Sequence, residues 1–320
     1  MKTVAIVNPT SGQQQASRKW SALLKAPTVK ADHVVTWWTE GPGHAEILAA
    51  RARREGFERI VVAGGDGTLF EVVNGLWWEP KGELPSVGMV SFGLGCDYIR
   101  NFEVGRSMVE RLVTALGESV ALVDVGVCRL QGLDGELLQR IFVNVLGLGY
   151  DANVVERIQR KNTRTGGRIT YLLGALQEMV WLKSHQLKGE VDGNPFETDT
   201  FLFAVGLGRF FGDGMMITPG ASPRAGRFQL VWGQYTGRLE VLRLLQKIYT
   251  GQHLDHPRVH VLYGRHLNLT AHPQAYVQAE GELIGQTPVE VKLYPRTLRF
   301  AARNTELSMH ALEEGRGLRS

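Results

Sequence analysis

The stretch Arg59-Ile60-Val61-Val62-Ala63-Gly64-Gly65-Asp66-Gly67-Thr68 decides the fold. Arg59–Ala63 is a short apolar run of the kind a buried strand makes, and a helical pattern opens behind the glycines, from about Leu69 to Leu76. Glycines at this junction let the backbone turn with positive φ and approach a ligand with no Cβ in the way. Successive N–H groups then face an anion, and the helix N-terminus behind them adds about 0.3–1 kcal/mol, rising to about 2 when partly buried. Asp66 is the odd member of the loop. A carboxylate beside a phosphate cradle is repulsive unless a cation lies between them, so Asp66 points to Mg²⁺ or to a direct catalytic role. The plainer alternative is a Gly-Gly turn with Asp66 as helix N-cap.

Working outward, the first ~125 residues repeat the strand–loop–helix pattern. Thr3–Val7 reads as a buried strand ending in Asn8-Pro9-Thr10-Ser11-Gly12, with a helix over about Gln14–Lys25. Asp32–Thr39 and Ser86–Ser91 read as further strands, and Gly43–Glu55 as a helix. This spacing predicts βαβ units and a mostly parallel sheet, whose ligands sit at the carboxyl ends of the strands. Neither a P-loop, nor a Gly-x-Gly-x-x-Gly after the first strand, nor a His-Arg-Asp loop occurs. The dinucleotide-fold and protein-kinase readings are therefore weak.

From about Ala121 the pattern changes to short strands separated by turns such as Asp192-Gly193-Asn194-Pro195. The candidates are Ala121–Leu130, Arg140–Leu146, Leu187–Val191, Thr200–Leu207, Arg227–Trp232, Arg258–Leu262, Leu267–Ala271, Tyr276–Ala279, Val289–Leu293 and Leu298–Ala301. Helical patterns interrupt at Ile169–Ser184 and Arg238–Thr250. The expected fold class is α/β plus all-β. An N-terminal three-layer α/β domain with a mostly parallel sheet (1–122) precedes a C-terminal β-sandwich with inserted helices (123–303) and a tail (304–320).

The chain has 320 residues, 43% of them apolar, enough for two cores. Cys96 and Cys128 are too few for a disulfide framework or a cysteine-rich zinc site, which suits a reducing cytoplasm. The opening apolar run is too short for a signal peptide, and no stretch reaches the ~18 apolar residues of a membrane span. A net charge of +4 favours anionic partners without naming one. It is scattered, and no nucleic-acid module is present.

Several motifs together resemble the diacylglycerol kinase catalytic domain family, whose superfamily includes sphingosine kinases and bacterial lipid kinases. They are Asn8–Gly12, Thr39-Glu40-Gly41-Pro42-Gly43-His44-Ala45, Gly64–Thr68 and Phe142-Val143-Asn144-Val145-Leu146-Gly147-Leu148-Gly149-Tyr150-Asp151. Gly208-Arg209-Phe210-Phe211-Gly212-Asp213-Gly214-Met215 and Glu280-Gly281-Glu282 complete the set, so the resemblance runs in order along nearly the whole chain. It implies a nucleotide site between the two domains, with ATP gripped by Asn8, Thr10, Ser11, Gly12, Thr39, Gly64, Gly65, Gly67 and Thr68. Asp66 matches the catalytic aspartate, Asp97 an acidic loop residue, and Glu282 the glutamate read as general base; Asp66 and Asp97 would hold Mg²⁺ directly or through water. The implied activity is transfer of the ATP γ-phosphate to a lipid hydroxyl, diacylglycerol first, in phospholipid biosynthesis. A sphingoid base, phosphatidylglycerol or NAD is the alternative acceptor. A catalytically impaired nucleotide- or lipid-binding homologue is the rival of another class.

Chemistry fits that division of labour. An alcohol is about as weak an acid as water, pKa about 15.7, so a carboxylate near ~4 cannot deprotonate it beforehand. In a loose phosphoryl-transfer transition state the carboxylate need only orient the hydroxyl and accept its proton late.

The departures from the family are Leu94 and Cys96 in Gly93-Leu94-Gly95-Cys96-Asp97-Tyr98-Ile99-Arg100, Phe70 where asparagine is usual, Ala225 in place of an aspartate that often binds a structural Mg²⁺, and Glu280 in place of the aspartate of the late Asp-Gly-Glu motif. Trp37-Trp38 and Trp77-Trp78 are candidates for peripheral membrane contact, although one of residues 37 and 38 should face the core. Ile169–Lys183 could shelter an acyl chain or pack as an ordinary amphipathic helix. The histidines from His253 to His272 read as strand and loop residues, with Pro257 breaking any helix that would align them. The reading expects a membrane lipid as partner and no nucleic acid, and admits a homodimer.

Overall fold

The computed structural model describes residues 1–31, 33–77, 83–92, 96–160, 184–234 and 237–303. Its first half is a parallel sheet of β1 (Thr3–Val7), β2 (Val34–Trp38), β3 (Arg59–Gly64) and β4 (Ser86–Ser91), in the order β4-β3-β1-β2. Side chains alternate across each strand, so successive residues feed opposite faces. Val4, Ile6, Ile60 and Val62 pack against α3 (His44–Arg54) and α4 (Asp66–Trp77). Ala5, Val7, Val61 and Ala63 pack against α2 (Ala16–Leu24) and α5 (Met108–Leu116). Both faces of the sheet are covered, which is why its strands read as unbroken apolar runs. The expected three layers are present.

The helix expected over Gln14–Lys25 is two pieces, α1 (Ser11–Gln14) and α2. Helix α5 lies outside the sequence expectation, yet its signature is legible: the Ser107 hydroxyl accepts the Glu110 N–H (3.2 Å) while the Glu110 carboxylate accepts the Ser107 N–H (2.9 Å), a capping box.

The second half contains β5 (Val120–Gln131), β6 (Leu137–Phe142), β7 (Val145–Gly149), α6 (Tyr150–Arg160), β8 (His185–Val191), β9 (Asn194–Thr200), β10 (Leu202–Gly206) and β11 (Phe228–Gly233). Helix α7 (Arg238–Ile248), β12 (Val259–Gly264), β13 (His266–His272), β14 (Tyr276–Ala279) and β15 (Glu282–Ala301) complete it. One antiparallel run goes β12-β11-β10-β7-β14-β15; a second branches from β15 through β13, β8 and β9, and through β5 and β6. Leu146, Phe203, Leu230 and Val277 of the first meet Cys128, Leu187, Leu267 and Val291 of the second in one core, the sandwich the turn-rich sequence predicts.

Three expected strand boundaries change. Arg140–Leu146 is interrupted at Val143-Asn144, between β6 and β7. The Thr200–Leu207 run divides into β9 and β10. Val289–Leu293 and Leu298–Ala301 are parts of one long strand, β15, whose pairing with β5 slips around Pro288 and around Pro295-Arg296. The far end of β15 pairs with β4 (Phe300 opposite Val87), and Leu298 and Phe300 lie in the first half's core. The two expected domains share this strand. Helix α6 follows the Gly149-Tyr150 turn without a helix having been expected there. The helical pattern at 169–183, Trp78, Leu94 and the tail lie outside the described residues.

Candidate active site

The glycine loop sits where the parallel sheet ends. Asn8, one residue past β1, donates from its backbone N–H to Ala63 O (2.9 Å) and from its side chain to Thr68 Oγ1 (3.2 Å). Its Oδ1 accepts the N–H (3.0 Å) and the hydroxyl (2.8 Å) of Thr10. The Ser11 N–H reaches Asn8 O (3.2 Å), and the buried Thr39 donates its N–H to Val7 O (2.9 Å). Gly12 has φ +62°, and a Cβ there would run into the carbonyl of Phe92. A Cβ on Gly65 would meet nothing within 4 Å. The loop is therefore closed by packing at Gly12 and open at Gly65. The nine residues expected to hold the nucleotide are gathered at the carboxyl ends of β1, β2 and β3.

Asp66 is the first residue of α4, half-buried between this loop and the segment after β4. Its Oδ2 accepts the Asp97 N–H (2.8 Å) and its Oδ1 the Tyr98 N–H (3.2 Å). Burial raises its carboxyl above the ordinary carboxylate value; the two N–H groups and Arg100 work against that rise. Asp97 itself is buried, and its oxygens accept N–H groups from the other half of the molecule, Gly214 (2.8 Å) and Asp213 (2.8 Å). Arg100 lies 3.4 Å from Asp97 and 3.3 Å from Asp213. Burial, then the Asp66 charge, push Asp97 up to about 6. The two carboxylates are thus stacked: Asp97 is the anchor between halves, and its own backbone orients Asp66.

Glu282 comes from the second half. It is exposed, and its Oε1 lies 3.0 Å from where a Gly67 Cβ would stand. The protein around it, and then the charge of Glu71, raise its carboxyl. Asp66, Asp97 and Glu282 thus lie around one loop, Asp97 through its N–H on Asp66 and Glu282 beside Gly67.

Sequence reading assigns no role to three further groups. Glu71 accepts the N–H groups of Gly43 and Ala45 (both 2.9 Å), capping α3 from α4. Its only sequence signal is the open Gly-Pro-Gly turn before α3. Glu280 turns inward, its Oε1 accepting the N–H groups of Val143 (2.8 Å) and Asn144 (2.6 Å), and burial pushes it up to about 8. Asp151, buried at the start of α6, accepts a hydrogen bond from the Gln278 amide (2.9 Å) and is raised by burial to about 7.

The departures have definite places. Phe70 is packed in the sandwich core with residues of the second half, so its ring does not fill the glycine loop. Cys96 is buried against Ser91 Oγ with φ +45°, and burial pushes its thiol up to about 12, away from thiolate chemistry. At Ala225 the backbone closes directly: the buried Asp124 carboxylate accepts the N–H groups of Gly226 (2.6 Å) and Arg296 (2.9 Å). No group of three or more metal-ligating side chains occurs among the described residues. His253 is buried against Ile217 O (3.0 Å). Trp37 packs edge-on to Phe57 while Trp38 is 40% exposed, which separates the pair as alternation requires.

Two family models match the chain, one in each half. Residues 2–128 match the diacylglycerol kinase catalytic domain, and residues 144–302 match the YegS C-terminal NAD kinase beta sandwich-like domain. Among curated relatives, a Diacylglycerol kinase of Staphylococcus aureus (strain MRSA252) is 27% identical over 301 residues, covering 93% of this chain and 91% of that one. The Diacylglycerol kinase of Staphylococcus carnosus (strain TM300) is 26% identical over 283 residues, covering 88% and 89%. A crystal structure of a candidate diacylglycerol kinase from Bacillus anthracis str. Sterne superposes with a TM-score of 0.76 at 22% identity, over 94% of this chain and 95% of that one. At that identity the superposition speaks for the fold alone.

Proposed function

Because this chain belongs to the diacylglycerol kinase catalytic domain family, we propose that it is an ATP-dependent lipid kinase, phosphorylating the free hydroxyl of diacylglycerol. The observation that carries the reading is Asp66, oriented by two backbone N–H groups beside an open glycine loop, with Glu282 brought over Gly67 from the other half.

The residues divide the work. N–H groups of the Gly64–Thr68 loop and the Asn8–Gly12 turn receive the phosphates, and Gly65 lets them come close. Mg²⁺ fits at Asp66, whose oxygens each keep a lone pair beyond the single N–H they accept; when bound it neutralises charge on the transferring phosphoryl group. Asp97, with both oxygens on backbone N–H groups, keeps Asp66 in register and completes the metal's surroundings through it. Glu282 orients the acceptor hydroxyl and takes its proton late; a carboxyl raised by its surroundings is the better base for this step. One carboxylate per half means that approach of the halves assembles the site.

No helix among the described residues is long and apolar enough to cross a membrane. The reading has the enzyme reach its acceptor from the cytoplasm by peripheral contact, with the exposed Trp38 a candidate for the lipid surface. Its product, a phosphomonoester lipid, would feed phospholipid biosynthesis.

The test is incubation of the purified chain with labelled ATP, Mg²⁺ and separate dispersions of diacylglycerol, a sphingoid base, phosphatidylglycerol and, in solution, NAD. Label in diacylglycerol is expected. Label in another acceptor alone would reassign the substrate, and ATP binding without any labelled product would make the chain a binding homologue.

A further inference from the structure

We propose that Glu280 is a positioning residue: it locks the turn between β14 and β15 onto the break between β6 and β7, and so registers Glu282 over the Gly64–Thr68 loop. The proposal deepens the kinase reading and rests on it. Glu280 has φ +54°, a left-handed backbone that a non-glycine side chain seldom adopts, and Gly281 follows at φ +82°. Such outliers persist where their surroundings over-determine them. Here the surroundings are on view. The Glu280 N–H donates to Val145 O (3.1 Å), and the carboxylate folds back to accept the N–H groups of Val143 (2.8 Å) and Asn144 (2.6 Å). The Gly281 N–H donates to Gln278 Oε1 (2.8 Å), and the Gln278 amide holds Asp151 (2.9 Å). The turn that ends in Glu282 is pinned on three sides.

The strand break that receives Glu280 is tied in turn to the Asp66 side of the cleft. Asn144 donates to Phe210 O (2.7 Å), and Asn101 donates to both Asn144 Oδ1 (3.4 Å) and Tyr98 O (2.9 Å). The Tyr98 N–H then reaches Asp66 Oδ1 (3.2 Å). A continuous hydrogen-bonded path runs from the carrier of Glu282 to the carrier of Asp66, with Glu280 at its far end. The interruption of the expected Arg140–Leu146 strand is what frees the two N–H groups that Glu280 takes up.

Two variants of the full chain test this, Glu280→Ala and Glu280→Gln. Kinetics are measured with ATP, Mg²⁺ and dispersed diacylglycerol, and amide hydrogen exchange is followed over residues 279–283. The Gln amide oxygen can accept the same two N–H groups, so E280Q should stay within about fivefold of the parent kcat while E280A loses about 30-fold, with ATP KM moving less than about threefold. Exchange at residues 280–282 should accelerate in E280A and stay close to the parent in E280Q. A merely structural cap would lower the melting temperature without this kcat-only loss. The proposal is overturned by parent-like exchange in E280A, by an E280A loss that falls on ATP KM, or by E280Q as damaged as E280A. Should E280A unfold at the assay temperature, Glu280→Asp, one methylene shorter, carries the same comparison. If the unmodified chain phosphorylates no acceptor, the kinase reading fails, whereas exchange over the turn still decides whether Glu280 holds it.

Discussion

The two halves of the molecule each bring a carboxylate to the cleft, and they hold it in different ways. Asp66 stands at the end of a parallel strand, in a glycine loop whose neighbours all converge on the same point. Glu282 stands just past an antiparallel turn, exposed, with its place fixed by hydrogen bonds at neighbouring residues. Behind each lies a second carboxylate that accepts backbone N–H groups: Asp97 behind Asp66, Glu280 behind Glu282. Parallel strand ends supply converging backbone dipoles at no extra cost in side chains. An antiparallel turn supplies a single side chain and must be braced.

The sharpest break in that comparison is Asp66→Asn. The amide can accept only one of the two N–H groups, turns its own NH₂ toward the other and brings no charge, so turnover should fall by about 10³-fold or more, with a loss of about 1–3 kcal/mol in stability that leaves the chain folded. Near-parent kcat would remove Asp66 from the phosphoryl-transfer step. Glu282→Gln should be gentler, lowering kcat about 10²-fold and leaving ATP KM within about twofold, as steady-state kinetics at varied ATP would show.

These two side chains differ also in how readable they were. Asp66 was legible because its surroundings are local: strand, glycines and helix follow one another within ten residues. The four parallel strands and the helices around Ala45 and Leu69 were legible for the same reason, since a strand buried on both faces leaves an unbroken apolar run. Glu280 was not legible, because its partners Val143 and Asn144 are far away in sequence and offer backbone, which carries no residue signature. Asp97's grip on Asp213 and Gly214 was hidden for the same cause. The unity of β15 was hidden by Pro288 and Pro295, which read as terminators and are instead sites of slipped pairing. Helix α5 could have been found from Ser107-x-x-Glu110; helix α6 begins at a turn that resembles the strand ends around it.

A milder substitution sharpens the contrast by probing space rather than charge. At Gly65 a methyl group meets nothing within 4 Å and the backbone is not left-handed, so Gly65→Ala should change denaturant stability by no more than about 0.5 kcal/mol. The same methyl stands where a phosphate would approach, so ATP KM should rise about tenfold; an unchanged KM would place the nucleotide elsewhere.

The last effect is a slope with pH. Asp151 and Glu280 have folded values, about 7 and about 8, above their ordinary 3.8 and 4.5, so the native chain holds protons that the unfolded chain releases. Their contribution to stability is full below the ordinary values and is lost as pH rises through the folded ones. Urea titrations should therefore show stability declining from about pH 4.5 to about 8, by no more than about 1.4 kcal/mol per pH unit for each group. Asp151→Asn should flatten the part of that slope below about pH 7, and an undiminished slope would assign it to other groups.

The return of β15 to the edge of β4 has a consequence for how the polypeptide is made. The ribosome releases the parallel-sheet half first, but that half leaves the tunnel with the rim of its sheet beside Val87 bare. It stays bare until Leu298–Ala301, about 200 residues further along the chain, have been synthesised. A nascent chain stalled before that point would show an unpaired strand to its neighbours, the kind of surface on which chains aggregate. Synthesis of β15, more than local folding, is what seals the first half.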